Sequence, residues 1–245
     1  MRTLGAMADR PSVAVVFGAR NVGRAIATER RERGWEVLAL ARTEETLAAL
    51  AADVPGVRTR VADATDPAVV ERVLLEAGGI GDLELVVNAV TAPPRGGPFG
   101  GGPISDAPPE ALDAWLAGFV PAAWAIQRAA GRLMAARGSG TIVQVAGGSA
   151  RRAMPNRGMW AAAQFAARAL TLAMAQELRP AGVHVALLVA DGMIETERRP
   201  LGDSDPDELL HPEDVADAVA FLSGQRARAW THELTITPRL DNWVP

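Results

Sequence analysis

The residues of this chain best placed to do chemistry follow short apolar runs. The first group is Phe17-Gly18-Ala-Arg20-Asn21-Val22-Gly23, a Gly-x-Arg-x-x-Gly turn that leads into a helical segment. Glycines there permit a tight turn, and they bring the unpaired N–H groups of the helix start up to a pyrophosphate. The second run closes on Leu40-Ala41-Arg42-Thr43, where an acidic residue would take a ribose 2′-hydroxyl. Arginine at that place suits a 2′-phosphate, and Arg20 supplies a second planar guanidinium. NADP(H) is therefore favoured over NAD(H), against a plainer reading in which both arginines are solvated or paired with Glu44 and Glu45. The third run ends Val61-Ala62-Asp63-Ala64-Thr65-Asp66-Pro67. Asp66 before Pro67 fits a helix cap, which leaves Asp63 to accept from an adenine amino group. Further on, Asn88-Ala89-Val90 and Asp191-Gly192-Met193-Ile194-Glu195-Thr196 end two more apolar runs.

What is missing narrows the chemistry as much as what is present. The 245 residues include no tyrosine and no cysteine, so thiol nucleophiles, thiolate metal sites and disulfides are excluded. His184, His211 and His232 stand too far apart for a local ligand pair, and no metal site is expected. His184 lies inside an apolar run and reads as a core or edge residue. A net charge of −4 with scattered arginines gives no footprint for nucleic acid or an anionic membrane, so neither partner is expected. Met1 to Arg10 lack a signal-like apolar stretch, and no apolar run reaches about 18 residues, which predicts a soluble, cytoplasmic protein.

The elements that must position these residues alternate. β-Rich runs at 13–17, 36–40, 57–61, 83–88, 141–145, 183–189 and 234–237 are separated by helical segments near 22–33, 43–53, 67–77, 110–137, 157–179 and 212–223. That rhythm predicts an α/β fold with a parallel sheet, right-handed crossovers and helices on both faces. Ligands of such sheets bind outside the carboxyl ends of the strands, where the residues above fall. Residues 1–10 read as a tail and 11–245 as a single domain. Within it, residues 91–109 hold 11 Gly or Pro in 19 positions, which excludes regular structure and predicts a loop bordering a substrate pocket.

From about residue 12 to 237 the chain resembles the short-chain dehydrogenase/reductase family. The resemblance rests on the order of the Gly-rich turn, the Asp63-x-x-Asp66 pair, Asn88-Ala89 and Asp191-Gly192-x-Ile194-x-Thr196. It implies a Rossmann-type, doubly wound domain with a mainly parallel seven-stranded sheet. It also implies that Asn88-Ala89-Val90 lies along the adenosine ribose, that Gly192, Ile194 and Thr196 wrap the nicotinamide, and that Thr196 holds the carboxamide. Asp191 stands where the family has proline. The long fourth and fifth helices pair across subunits in that family, so a homodimer or homotetramer is expected.

The same alignment locates four replaced groups. Where the family uses Tyr and Lys, four residues apart, this chain has Trp160 and Gln164; the serine position is Gly147 and the asparagine position Phe119. Indole donates one hydrogen bond but exchanges no proton, and glutamine reaches a ribose hydroxyl without carrying charge. Asp191 is the most plausible substitute acid, with a carboxyl desolvated beside the nicotinamide and Trp160, although an ordinary Asx turn is the favoured reading of Asp191-Gly192. Ser149 is the nearest hydroxyl, and Arg151, Arg152 and Arg157 bind an acidic substrate or face water. Trp115, Phe119, Trp124 and Trp160 give the pocket an aromatic lining suited to a small apolar organic substrate. Three activities are compatible with these residues: hydride transfer to or from an apolar carbonyl or alkene, a non-redox isomerase, cyclase or dehydratase, and cofactor binding without turnover.

Overall fold

The computed structural model describes residues 10–91, 93–94, 96–196, 200–202 and 205–241; most of the expected tail lies outside them. Seven strands are present: β1 Ser12–Phe17, β2 Glu36–Ala41, β3 Arg58–Val61, β4 Asp82–Asn88, β5 Gly140–Gly147, β6 Val183–Ala190 and β7 Glu233–Ile236. They pair parallel throughout in the order β3-β2-β1-β4-β5-β6-β7. This is a Rossmann-type sheet, and its direction reverses between β1 and β4, which opens the crevice where such sheets hold ligands. β1 and β6 read VAVVF and VHVALLVA because their interior residues are covered on both faces.

Among the described residues six α-helices cover the sheet: α1 Val22–Glu32, α2 Glu44–Asp53, α3 Pro67–Ile80, α4 Ala111–Arg137, α5 Gly158–Leu178 and α6 Pro212–Ser223. Alternate strand residues sort to the two faces. Ala14, Val16, Val37 and Ala39 pack with Ile26, Leu47 and Val219 of α1, α2 and α6, whereas Val13, Val15 and Leu38 pack with Leu74, Ile126 and Met134 of α3 and α4. Asp66 caps α3 as its sequence predicts, accepting from Ala68 N and Val69 N with Pro67 in the first turn. Gly138, left-handed at φ 82°, ends α4.

At the amino edge of the sheet His184 is buried, stacked on Trp230 at 5.1 Å and 4°, with its Nε2 2.9 Å from the Thr231 carbonyl. Burial is the main cause holding its pKa below the ordinary imidazole value, and the neighbouring His232 acts in the same direction. The unfolded chain therefore takes up this proton more readily than the folded one. Stability from His184 is complete above its unfolded pKa of about 6.5, and it falls as pH drops below that value by about 1.4 kcal/mol per pH unit, until the folded ring titrates. Thermal unfolding between pH 8 and pH 5 is expected to show this loss, and His184→Phe, which keeps the stack, should flatten it. An equally steep profile in the variant would remove His184 as the cause.

Candidate functional site

The β1–α1 turn is built to lie close to β4. Gly18 has φ 104°, and a Cβ on it would sit 2.7 Å from the Ala89 carbonyl oxygen; a Cβ on Gly23 would overlap the carbonyl of Gly18. Asn21, at φ 42° and ψ −107°, takes a backbone shape glycine adopts more readily, which is how a turn one glycine short still closes. Its side chain makes no cap hydrogen bond, and the first turn of α1, with Val22, holds no acidic residue. The amino end of α1 thus presents its dipole to the crevice uncompensated.

Arg20 and Arg42 are both exposed beside this turn. Neither guanidinium makes a hydrogen bond or ion pair among the described residues, and Glu44 and Glu45 leave them alone. Thr43 caps α2, accepting from Thr46 N, so its hydroxyl is committed to the helix. Asp63 accepts from Thr65 N at 2.9 Å and Thr65 Oγ at 2.8 Å. Those two bonds, the backbone one first, and the charge of Arg42 hold its carboxyl below the usual carboxylate range, leaving an exposed anion followed by Ala64.

Asn88 works differently from its sequence expectation. It is buried, and its Oδ1 accepts from Val90 N at 3.1 Å while its Nδ2 donates to Gln144 Oε1 at 2.8 Å. It shapes the Ala89-Val90 turn rather than reaching outward. Gln144 Oε1 also accepts from Gln127 of α4 at 3.3 Å, and Gln127 donates to Thr171 of α5 at 2.9 Å. A buried amide layer therefore joins β4, β5, α4 and α5 beneath the crevice.

The residues expected at the tetrad positions gather near the carboxyl end of β5. A Cβ on Gly147 would meet nothing within 4 Å, so the position is an open slot. Gln164 is 1% exposed; its Oε1 accepts from Gly147 N at 3.0 Å, and its Nε2 makes no hydrogen bond among the described residues. Trp160, 8% exposed, packs on Phe119 at 5.3 Å, Trp115 at 5.7 Å and Phe99 at 5.9 Å between ring centroids. Trp124, expected in the same lining, is instead exposed on another side of α4 beneath Arg128. Ser149 is buried in a 3-10 turn and its hydroxyl makes no hydrogen bond among the described residues.

Asp191 meets surroundings other than those expected of a desolvated acid. It is buried, 2% exposed, yet its Oδ2 is ion-paired with Arg152, and Gly148 leaves room for the carboxylate where any Cβ would overlap it. A guanidinium partner in place of an apolar wall makes Asp191 an anchor for the Gly148–Arg152 turn. Gly192 abuts Pro238, and Ile194 and Glu195 are tied to Leu210 by a parallel bridge and by Glu195 N to Leu210 O at 2.8 Å. Thr196 is half-buried at the end of this segment.

The Gly/Pro-rich loop is not wholly irregular. Ile104–Asp106 form a 3-10 turn, and Gly100, Gly101 and Gly102, all at positive φ, lay the chain against the start of α5. Gly102 N bonds Asn156 O at 3.1 Å, and a Cβ on Gly100 or Gly101 would strike Arg157 or Met159. This close docking is what seats Phe99 on the two tryptophans. Two surface grooves, of about 390 and 560 Å³, lie between α3 and α4 near Arg10 and between α1 and α6; neither adjoins Gly147. Convergent polar groups, not depth, mark the site.

The family model for short chain dehydrogenases matches residues 12–205. The chain belongs to the short-chain dehydrogenase/reductase family. L-xylulose reductase from Mesocricetus auratus is 30% identical over 236 residues, spanning 89% of this chain and 91% of that one, and the Bos taurus protein of the same name is 28% identical over 233. Among solved structures, a short-chain dehydrogenase from Rhodopseudomonas palustris superposes with a TM-score of 0.76 at 28% identity, covering 93% and 98% of the two chains. A metagenomic short-chain oxidoreductase in complex with NADP superposes with a TM-score of 0.74 at 24% identity, covering 94% and 98%. Membership of this oxidoreductase family accounts for the strand order and the Gly18–Gly23 turn. Among the described residues no helix is long and apolar enough to cross a membrane.

Proposed function

We propose that this chain is an NADP(H)-binding oxidoreductase that moves hydride to or from an apolar carbonyl or alkene, with the family's tetrad replaced. The observation that carries the reading is the uncapped α1 terminus flanked by two exposed arginines, Arg20 and Arg42, whose guanidinium groups make no hydrogen bond or ion pair among the described residues. The residues fit the cofactor: Gly18 and Gly23 clear the backbone, Arg20 and Arg42 take the 2′-phosphate, Asp63 accepts from the adenine amine, and Asn88 sets the turn along the ribose. The bound nicotinamide supplies the hydride.

The chain's own part is positioning and exclusion of water. Gln164 Nε2 donates to a ribose hydroxyl while its Oε1 keeps Gly147 N in place, and Ile194 and Thr196 border the carboxamide. The Trp160 indole N–H donates to a substrate oxygen but transfers no proton. Solvent supplies that proton, with the Ser149 hydroxyl as the nearest relay, so that hydride and proton together reduce one C=O or C=C. Asp191 contributes by fixing Arg152. The domain is read as single and cytoplasmic, and as a homodimer or homotetramer joined through α4 and α5, which expose Trp124 and Phe165.

Calorimetric titration with NADPH and NADH tests the assignment. NADPH is expected to bind more tightly, and Arg42→Ala should weaken NADPH about 10- to 100-fold while leaving NADH unchanged, as for loss of a charge-assisted phosphate contact. Binding of neither nucleotide would remove the oxidoreductase reading. Turnover of a ketone or enone without change in nicotinamide absorbance would move the chain to non-redox chemistry.

A further inference from the structure

Phe99 is out of keeping with its surroundings. It is 58% exposed on a glycine-built strap, yet its ring is lodged against two nearly buried tryptophans, 6.0 Å and 85° from Trp115 and 5.9 Å and 58° from Trp160. The Arg157 guanidinium lies over the same ring, 5.7 Å from its centroid. Arg157 makes no ion pair among the described residues, and its charge lies against the Phe99 ring. An exposed phenyl ring gains little from burial; what Phe99 gains is edge-to-face contact with Trp115, a tilted contact with Trp160 and the cation above it.

We propose that the niche walled by Trp115 and Trp160 and capped by Arg157 is a binding site for an aryl ring of the substrate, and that Phe99 is its resident stand-in. The proposal rests on the reading of the carboxyl end of β5 as the substrate side. Trp160 joins the two: it forms the niche wall and also stands one helical turn before Gln164, which holds Gly147 N. A substrate ring enters by displacing Phe99 and inherits the same three contacts. An electron-rich ring is preferred, because the guanidinium is drawn to the negative face of the π-system. The strap allows the exchange: Phe99 precedes three consecutive glycines and is anchored through Gly100 O to Trp160 N, at 3.5 Å, and through Gly102 N to Asn156 O, not through its own side chain.

The test is calorimetric binding of benzylacetone, its cyclohexyl analogue, and the para-methoxy and para-nitro benzylacetones, each with and without NADPH. Benzylacetone is expected to bind about three- to tenfold more tightly than the cyclohexyl ketone, as ring-on-ring contacts provide. Phe99→Ala should tighten benzylacetone about threefold or more by removing the competitor, at a site where an exposed side chain carries little of the fold. Arg157→Gln should shrink an about three- to fivefold methoxy-over-nitro preference toward unity. Equal affinity for the phenyl and cyclohexyl ketones, or unchanged or weaker aryl binding in Phe99→Ala, would overturn the niche. Aryl binding that follows these variants while no NADPH is bound or consumed supports the niche and sinks the oxidoreductase reading alone.

Discussion

Restoring the family's groups with Gly147→Ser, Trp160→Tyr and Gln164→Lys together is expected to raise NADPH-dependent ketone reduction by about 10²- to 10⁴-fold, the contribution of a positioned proton donor. The geometry permits two of the three without a clash. The slot at Gly147 is open, and a phenol is smaller than the indole it would replace in the ring cluster around Phe119. Gln164→Lys is the costly one, because it deprives the part-buried Gly147 amide of its acceptor and sets a charge where Gln164 is 1% exposed; about 1 to 3 kcal/mol of stability should go with it. Steady-state rates of native, single, double and triple variants with one ketone measure the effect. Native turnover equal to or above that of the triple variant would show that another group in this chain already supplies the proton.

The second large effect lies in the cofactor turn. Gly23→Ala should weaken NADPH by about 100-fold or more and lower the unfolding temperature, because its Cβ would overlap the Gly18 carbonyl, and backbone on backbone cannot yield as a side chain can. Gly78→Ala is the matched control. Gly78 lies inside α3 with nothing within 4 Å of an added Cβ, so alanine there should keep NADPH affinity and add up to about 1 kcal/mol of helix stability. Unchanged NADPH affinity in Gly23→Ala would mean that the nucleotide does not sit over this turn.

The strands were legible because their apolar runs are unambiguous: all seven expected segments are strands, with ends within a few residues, as in β5, which continues from Val145 to Gly147. Helix ends were legible where caps are local, as at Asp66-Pro67 and Gly138. The carboxyl-end turns could be placed for the same reason. What the sequence hid is non-local or conformational. No pattern announces that Arg152 will close on Asp191, 39 residues away, or that Gln127 and Asn88 meet at Gln144. Asn21 shows only in its dihedral angles that it fills a glycine's place. Nor does a Gly/Pro-rich stretch promise packing for Phe99, although a lone aromatic in such a stretch is a signal that something holds it.

The amide layer of Asn88, Gln144, Gln127 and Thr171 carries a consequence for how such a chain changes over time. It ties two strands to two helices one tier below the crevice, and none of its members is Gly147, Trp160, Gln164 or Phe119. Substitution at Gly147, Trp160, Gln164 or Phe119 therefore leaves this tier of hydrogen bonds in place, and its cost falls on the ring cluster and on the Gly147 N–Gln164 bond instead.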